Sequence, residues 1–219
     1  MVRGDAPMAR IYKDKKELIE TLIPRGASVL DVGFRGQGTG PQSEGFVHAL
    51  LRTRTEDLWG IDLQYEETEL LGPSSHYARM SAESFSLSRR FTVLFAGDLI
   101  EHLPNPGLFL DSAKRHLEKG GCLILTTPNA FNLFNLTEKI TKDEPTVNSD
   151  HTCYFNRKTL LRLLDKMGWE VDEVSYLFTL GPLHKESLKK KLLNLVYSVL
   201  ARCTPKFVET LVVVAHPRP

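Results

Sequence analysis

Cysteine is scarce. Among 219 residues there are three, Cys122, Cys153 and Cys203, with no paired or metal-type spacing. An odd, scattered set excludes a disulfide framework and points to reduced thiols and a cytoplasmic setting. An excess of one charge is also missing. A net charge of +1 gives no electrostatic reason to expect nucleic acid or a membrane as partner. No apolar run reaches the roughly 20 residues that a bilayer span needs, and Met1 to Met8 carries no apolar signal core. There is no internal repeat or low-complexity tract. What remains is an ordinary globular composition, 42% apolar and 25% charged, long enough to bury a substantial core in one domain over residues 1–219.

The most informative segment present is Ser28-Val29-Leu30-Asp31-Val32-Gly33, followed by a glycine-rich loop through Gly40. An apolar strand ends beside a carboxylate and then turns on glycines, which let backbone approach a ligand more closely than a Cβ would. Leu58-Trp59-Gly60-Ile61-Asp62 repeats the pattern of an apolar strand ending in an acid. This is the layout of a nucleoside-binding α/β protein: a glycine turn, then an acidic residue on the next strand for ribose hydroxyls. A nicotinamide dinucleotide fingerprint fits less well. Taking Gly36 and Gly38 as its first two glycines puts Pro41 where the third should permit close helix packing.

The rest of the chain alternates in the same way. Residues 1–27 form an N-terminal region with a helix predicted over Ile11–Ile23, stopped by Pro24-Arg25-Gly26. A helix is expected over Ser43–Arg52 and a short strand over His76–Met80. Phe91–Ala96 and Cys122–Thr127 are continuous apolar runs that suit strands buried on both faces. Pro104–Leu117 reads as a helix closed by Lys119-Gly120-Gly121. Thr159–Met167 reads as a helix with Asn156 as candidate cap, and Trp169–Leu177 and Val208–Ala215 as strands. Apolar spacing also predicts a helix over Leu188–Leu200, within an insertion over residues 179–207. Its neighbouring lysines read as a solvated face rather than a membrane surface, and the segment as either a substrate-side insertion or a homodimer surface. Strand–helix alternation predicts a mostly parallel sheet covered on both faces.

In order, these segments resemble the class I S-adenosylmethionine-dependent methyltransferases, closest to the group that includes ubiquinone-type O-methyltransferases. The match is carried by Val29-Leu30-Asp31-Val32-Gly33, Gly60-Ile61-Asp62, Asp98-Leu99-Ile100-Glu101-His102-Leu103, Leu117-Glu118-Lys119-Gly120-Gly121 with Thr127-Pro128-Asn129, and Asp150-His151-Thr152-Cys153-Tyr154-Phe155. The resemblance implies a Rossmann-like, doubly wound, seven-stranded sheet with the last strand antiparallel, and S-adenosylmethionine as methyl donor. It implies that Asp31 and the loop glycines Gly33, Gly36 and Gly38 hold the methionine end, and that Asp62 takes the ribose. Leu63 would lie against adenine, Ser81 and Ala82 at its edge, and Asp98 on the methionine side. The loop carries one residue more than the usual Asp-x-Gly-x-Gly-x-Gly, and Ser81 stands where an acid is common.

Methyl transfer from an activated donor asks the protein to align the acceptor and, for a hydroxyl, to remove its proton. His102 and His151 are the candidate catalytic residues, since imidazole titrates near pH 6.5. Asn129 is expected at the acceptor rim, with residues 129–150 as a lid. The acceptor expected is a small molecule, most plausibly a hydroxylated or sugar-like one. A divalent metal held by Asp98, Glu101, His102 and His151 is the alternative to base catalysis. It is suggested by a resemblance to small-RNA 2′-O-methyltransferases, although Asp98 is one methylene shorter than their first carboxylate. RNA 2′-O-methylation and a non-catalytic scaffold retaining the fold are the other functional alternatives.

Overall fold

Apolar runs and amphipathic segments alternate along the chain, and they fold into one eight-stranded sheet with helices on both faces. The computed structural model describes residues 10–36, 46–65, 76–178 and 204–219. In chain order the elements are β1 (Ile11–Tyr12), α1 (Lys15–Leu22), β2 (Val29–Val32), α2 (Val47–Arg52), β3 (Leu58–Asp62), β4 (His76–Arg79) and β5 (Phe91–Gly97). A 3-10 turn (Ile100–His102) follows, then α3 (Pro106–Arg115), β6 (Leu117–Pro128), α4 (Leu133–Thr141), α5 (Arg157–Lys166), β7 (Trp169–Leu177), a second 3-10 turn (Pro205–Phe207) and β8 (Thr210–Pro217). The strand order is β1-β7-β8-β6-β5-β2-β3-β4. Only β8 runs against its neighbours, β6 and β7; the other pairs are parallel.

The two faces follow from the period of two along the strands. Leu30, Val32, Leu94 and Ala96 point to the side covered by Phe109 and Leu110 of α3 and Leu160 and Leu164 of α5. Val29, Val93 and Phe95 point to the side covered by Leu18 and Ile19 of α1 and Leu51 of α2. From β2 the chain winds outward through β3 and β4, then returns to place β5 on the other side of β2. The reversal opens a crevice beyond the carboxyl ends of β2 and β5, where open α/β sheets bind ligands. Among the described residues no helix is long and apolar enough to cross a membrane.

Several sequence expectations need correction. Among the described residues the sheet has eight strands rather than seven. The extra strand comes from the N-terminal region predicted to be helical from Ile11. Asp14 caps α1 by accepting from the Glu17 amide at 2.7 Å, so the helix starts at Lys15, and Ile11 and Tyr12 pair with Tyr176 and Leu177 instead. Lys119-Gly120-Gly121 does not close a helix. His116 ends α3, and the glycines lie inside β6, where a Cβ on Gly121 would sit 3.0 Å from the Phe91 and Thr92 carbonyl oxygens. Asn156 does cap α5, in a reciprocal box with Thr159. Gly38, the predicted start of α2 at Ser43, and residues 179–203 of the expected insertion with its 188–200 helix lie outside the described residues.

Candidate active site

A cavity of about 690 Å³ occupies the crevice. Its floor is the end of β2. Gly33 turns there with φ of +77°, and its amide donates to the Ile61 carbonyl at 2.8 Å. A Cβ at Gly33 would lie 2.9 Å from Leu99 in a backbone region that L-residues rarely adopt. At the end of β3, Asp62 is oriented by two backbone amides: Arg35 donates to Oδ2 at 3.1 Å and Gln64 to Oδ1 at 2.7 Å. Each carboxylate oxygen has a second lone-pair direction for a further donor. Leu63, at 61% exposed, lies beside it on the wall as an uncovered apolar surface suited to a flat ring.

At the end of β5, Asp98 has φ of +50°, an αL conformation that Asp tolerates better than most residues. Its carboxylate is already engaged: Thr126 donates to Oδ1 at 3.0 Å, and Lys15 pairs with Oδ2 at 3.3 Å. Ser81 and Ala82 line the adjacent wall, with the Ser81 hydroxyl accepting from the Glu83 amide at 3.3 Å. Thus Asp31, Gly33, Gly36, Asp62, Leu63, Ser81, Ala82 and Asp98 all border one cavity, although they are spread over four strand ends.

His102 and His151 border the same cavity. Their rings meet edge-on with centroids 4.6 Å apart. The Glu101 carbonyl accepts from the amides of Thr152 and Cys153, which anchors the loop bearing His151 to the 3-10 turn bearing His102. Burial, then the neighbouring His102, hold His151 below the usual histidine range, so its neutral form is favoured. Glu101 is 2% exposed. Its Oε2 accepts from the Thr127 hydroxyl at 2.9 Å, while Oε1 is buried with no partner among the described residues. Burial, reinforced by Asp98, pushes its carboxyl up to about 7.

Glu101, His102 and His151 offer ligand atoms that all lie within 4.8 Å of one another. Mixed carboxylate and imidazole donors suit a divalent ion, and an orphaned buried oxygen is the kind of group a cation satisfies. These three residues fit such an ion. Asp98, the fourth expected ligand, is held instead by Thr126 and Lys15.

Asn129 is another correction. It is 3% exposed and does not border the cavity. Its amide nitrogen donates to the Lys206 and Val208 carbonyls at 2.8 and 2.9 Å, and its oxygen accepts from the Phe131 amide. It joins β6 to the approach of β8 and has no side-chain group directed at an acceptor. The sequence reading also missed His48 and Tyr77. His48 lies three residues before Leu51 in the apolar stripe of α2, and that polar interruption was the available signal.

A glycine turn and strand-end carboxylates around a crevice at the reversal of a doubly wound sheet define a nucleoside-cofactor-binding α/β protein. A family model described as a methyltransferase domain matches residues 5–174, and the chain belongs to that family. A Mycolicibacterium smegmatis protein named a probable S-adenosylmethionine-dependent methyltransferase is 28% identical over 134 residues, covering 58% of this chain and 48% of that protein. The chain thus spans about half the length of that relative. A ubiquinone biosynthesis O-methyltransferase of Thiobacillus denitrificans is 25% identical over 194 residues, covering 82% and 80% of the two chains. Among solved structures, the fold is shared with a Burkholderia thailandensis 1,6-didemethyltoxoflavin-N1-methyltransferase crystallised with S-adenosylhomocysteine. The TM-score is 0.59 at 15% identity, over 94% of this chain and 77% of that one. The class I S-adenosylmethionine-dependent methyltransferase reading of the motifs is borne out, and with it S-adenosylmethionine as the donor.

Proposed function

We propose that this chain transfers the methyl group of S-adenosylmethionine to a hydroxyl of a small, polyhydroxylated acceptor such as a sugar or glycan precursor. The carrying observation is the paired imidazoles of His102 and His151 in the same cavity as Asp31, Gly33 and Asp62. In this reading Asp31 and the glycine loop hold the methionine end, Asp62 accepts from the ribose hydroxyls, and Leu63, Ser81 and Ala82 flank the adenine. His151, held neutral near pH 7, takes the acceptor proton as the carbon–oxygen bond forms and the carbon–sulfur bond breaks. His102, against its edge, orients it. Of the expected lid, Asn148 and Asp150 border the cavity and flank the acceptor.

A divalent cation held by Glu101, His102 and His151 is a second reading, favoured by the orphaned Glu101 Oε1. Such an ion would act as a Lewis acid toward an acceptor hydroxyl. The two readings differ in what histidine does, and chelation separates them.

The test is a screen of hydroxylated acceptors for S-adenosylhomocysteine release, with and without EDTA, followed by product analysis. A methyl ether is expected. His151→Ala should lower kcat about 10²-fold or more while S-adenosylhomocysteine affinity is kept. EDTA sensitivity would favour the cation. Methylation confined to amines would sink the hydroxyl reading, and absence of S-adenosylhomocysteine binding would favour a scaffold.

A further inference from the structure

Behind Asp31 runs a chain of polar groups that methyl transfer itself does not use. His48, on α2, is 2% exposed and does not border the cavity. Its Nδ1 lies 2.8 Å from Asp31 Oδ2, its Nε2 lies 3.0 Å from the Tyr77 hydroxyl, and Arg52 donates to that hydroxyl at 2.7 Å. With Asp31 ionised and the imidazole neutral, one assignment of protons satisfies all three contacts. Arg52 has only N–H to give, so the Tyr77 oxygen accepts and its own proton goes to His48 Nε2. Nδ1–H then points at Asp31. Phe34 packs over the ensemble, stacked on Tyr77 at 4.9 Å and 5.2 Å from the His48 ring. Gly60 makes room for it, since a Cβ there would lie 2.8 Å from the Phe34 ring.

Asp31 itself is 2% exposed and borders the cavity. Its Oδ1 has no hydrogen-bond partner among the described residues. Burial and the charge of Asp62 favour the neutral carboxyl, and His48 opposes both. We propose that His48 is a positioning residue for the donor: through Nδ1–H it fixes Asp31 with Oδ1 turned to the cavity and keeps the carboxylate available for the donor's α-ammonium group. The inference rests on the placing of the donor's methionine end at Asp31.

The chemistry predicts a selective effect. Ligands with an α-ammonium should depend on His48, and the same nucleoside without it should not. The experiment is calorimetric titration of the full chain with S-adenosylhomocysteine and with 5′-methylthioadenosine, which keeps the adenosine and thioether but lacks the amino-acid tail. His48→Leu should weaken S-adenosylhomocysteine about tenfold and leave 5′-methylthioadenosine unchanged. His48→Asn, whose amide can donate from near the Nδ1 position, should restore S-adenosylhomocysteine binding. Tyr77→Phe removes the hydroxyl behind Nε2 and should give a smaller loss of the same selectivity; it serves where His48→Leu does not fold. Equal weakening of both ligands, or no rescue by Asn, would reduce His48 to a packing role and overturn the proposal. If the unaltered chain binds 5′-methylthioadenosine but not S-adenosylhomocysteine preferentially, the assignment of Asp31 to the methionine end has failed first.

Discussion

Glu101→Gln tests whether a buried carboxyl beside His102 and His151 is a burden on the fold. The native carboxyl titrates at about 7 against an ordinary 4.5, chiefly because it is buried. Between those two pH values the folded chain binds more protons at this site than the unfolded chain, so stability falls as pH rises, and above about 7 the whole cost is present. A shift of that size corresponds to about 3 kcal/mol. Glutamine cannot ionise, and its oxygen can still accept from Thr127. Its amide nitrogen takes the orphaned place of Oε1, which offsets about 1 kcal/mol of the gain. The variant should therefore be about 2 kcal/mol more stable than the parent at pH 8.5 and no more stable at pH 4.5. For a chain of this size the difference at pH 8.5 is a Tm increase of about 4–8 °C. Urea unfolding at both pH values, in EDTA so that no cation neutralises the carboxylate, gives the comparison. An equal difference at the two pH values would refute the reasoning, because it would mean that Glu101 is solvated enough to ionise normally.

Asn129→Ala leaves the Lys206 and Val208 carbonyls and the Phe131 amide without their side-chain partner, and should cost about 3 kcal/mol in urea unfolding. Gly60→Ala drives a methyl against the stacked Phe34 and Tyr77 rings, and should cost about 1–3 kcal/mol by the same measurement. Asn156→Ala removes the cap of α5 and should cost about 1 kcal/mol, seen as a lower urea midpoint. Burial and His102 hold the folded pKa of His151 below 6.5, so the acid limb of a pH–rate profile for kcat/KM should fall below that value. A limb above it would remove His151 as the base.

β2, β3 and β5 were legible because strands covered on both faces read as near-continuous apolar runs. The glycine turn and Asp62 were legible because a close backbone approach and a strand-end acid leave local marks. The Asn156 cap was legible for the same reason: its hydrogen bonds span three residues. The N-terminal strand was not, because two residues gain their strand character only from pairing with Tyr176 and Leu177. Asn129 looked like a pocket residue from its place after Pro128, yet its partners are carbonyls nearly eighty positions away.

By itself, the sequence determined the alternating α/β order, the parallel core strands and the glycine turn and strand-end acids of the crevice, since period, apolar runs and turn chemistry are properties of neighbouring residues. Only the tertiary structure decided that Asp98 is spent on Lys15 and Thr126, that Glu101 keeps a buried oxygen without a partner among the described residues beside two imidazoles, and that His48 backs Asp31. These depend on which side chains the folded sheet brings within hydrogen-bond reach and on how far it shuts out water. Neither quantity exists until distant segments pack.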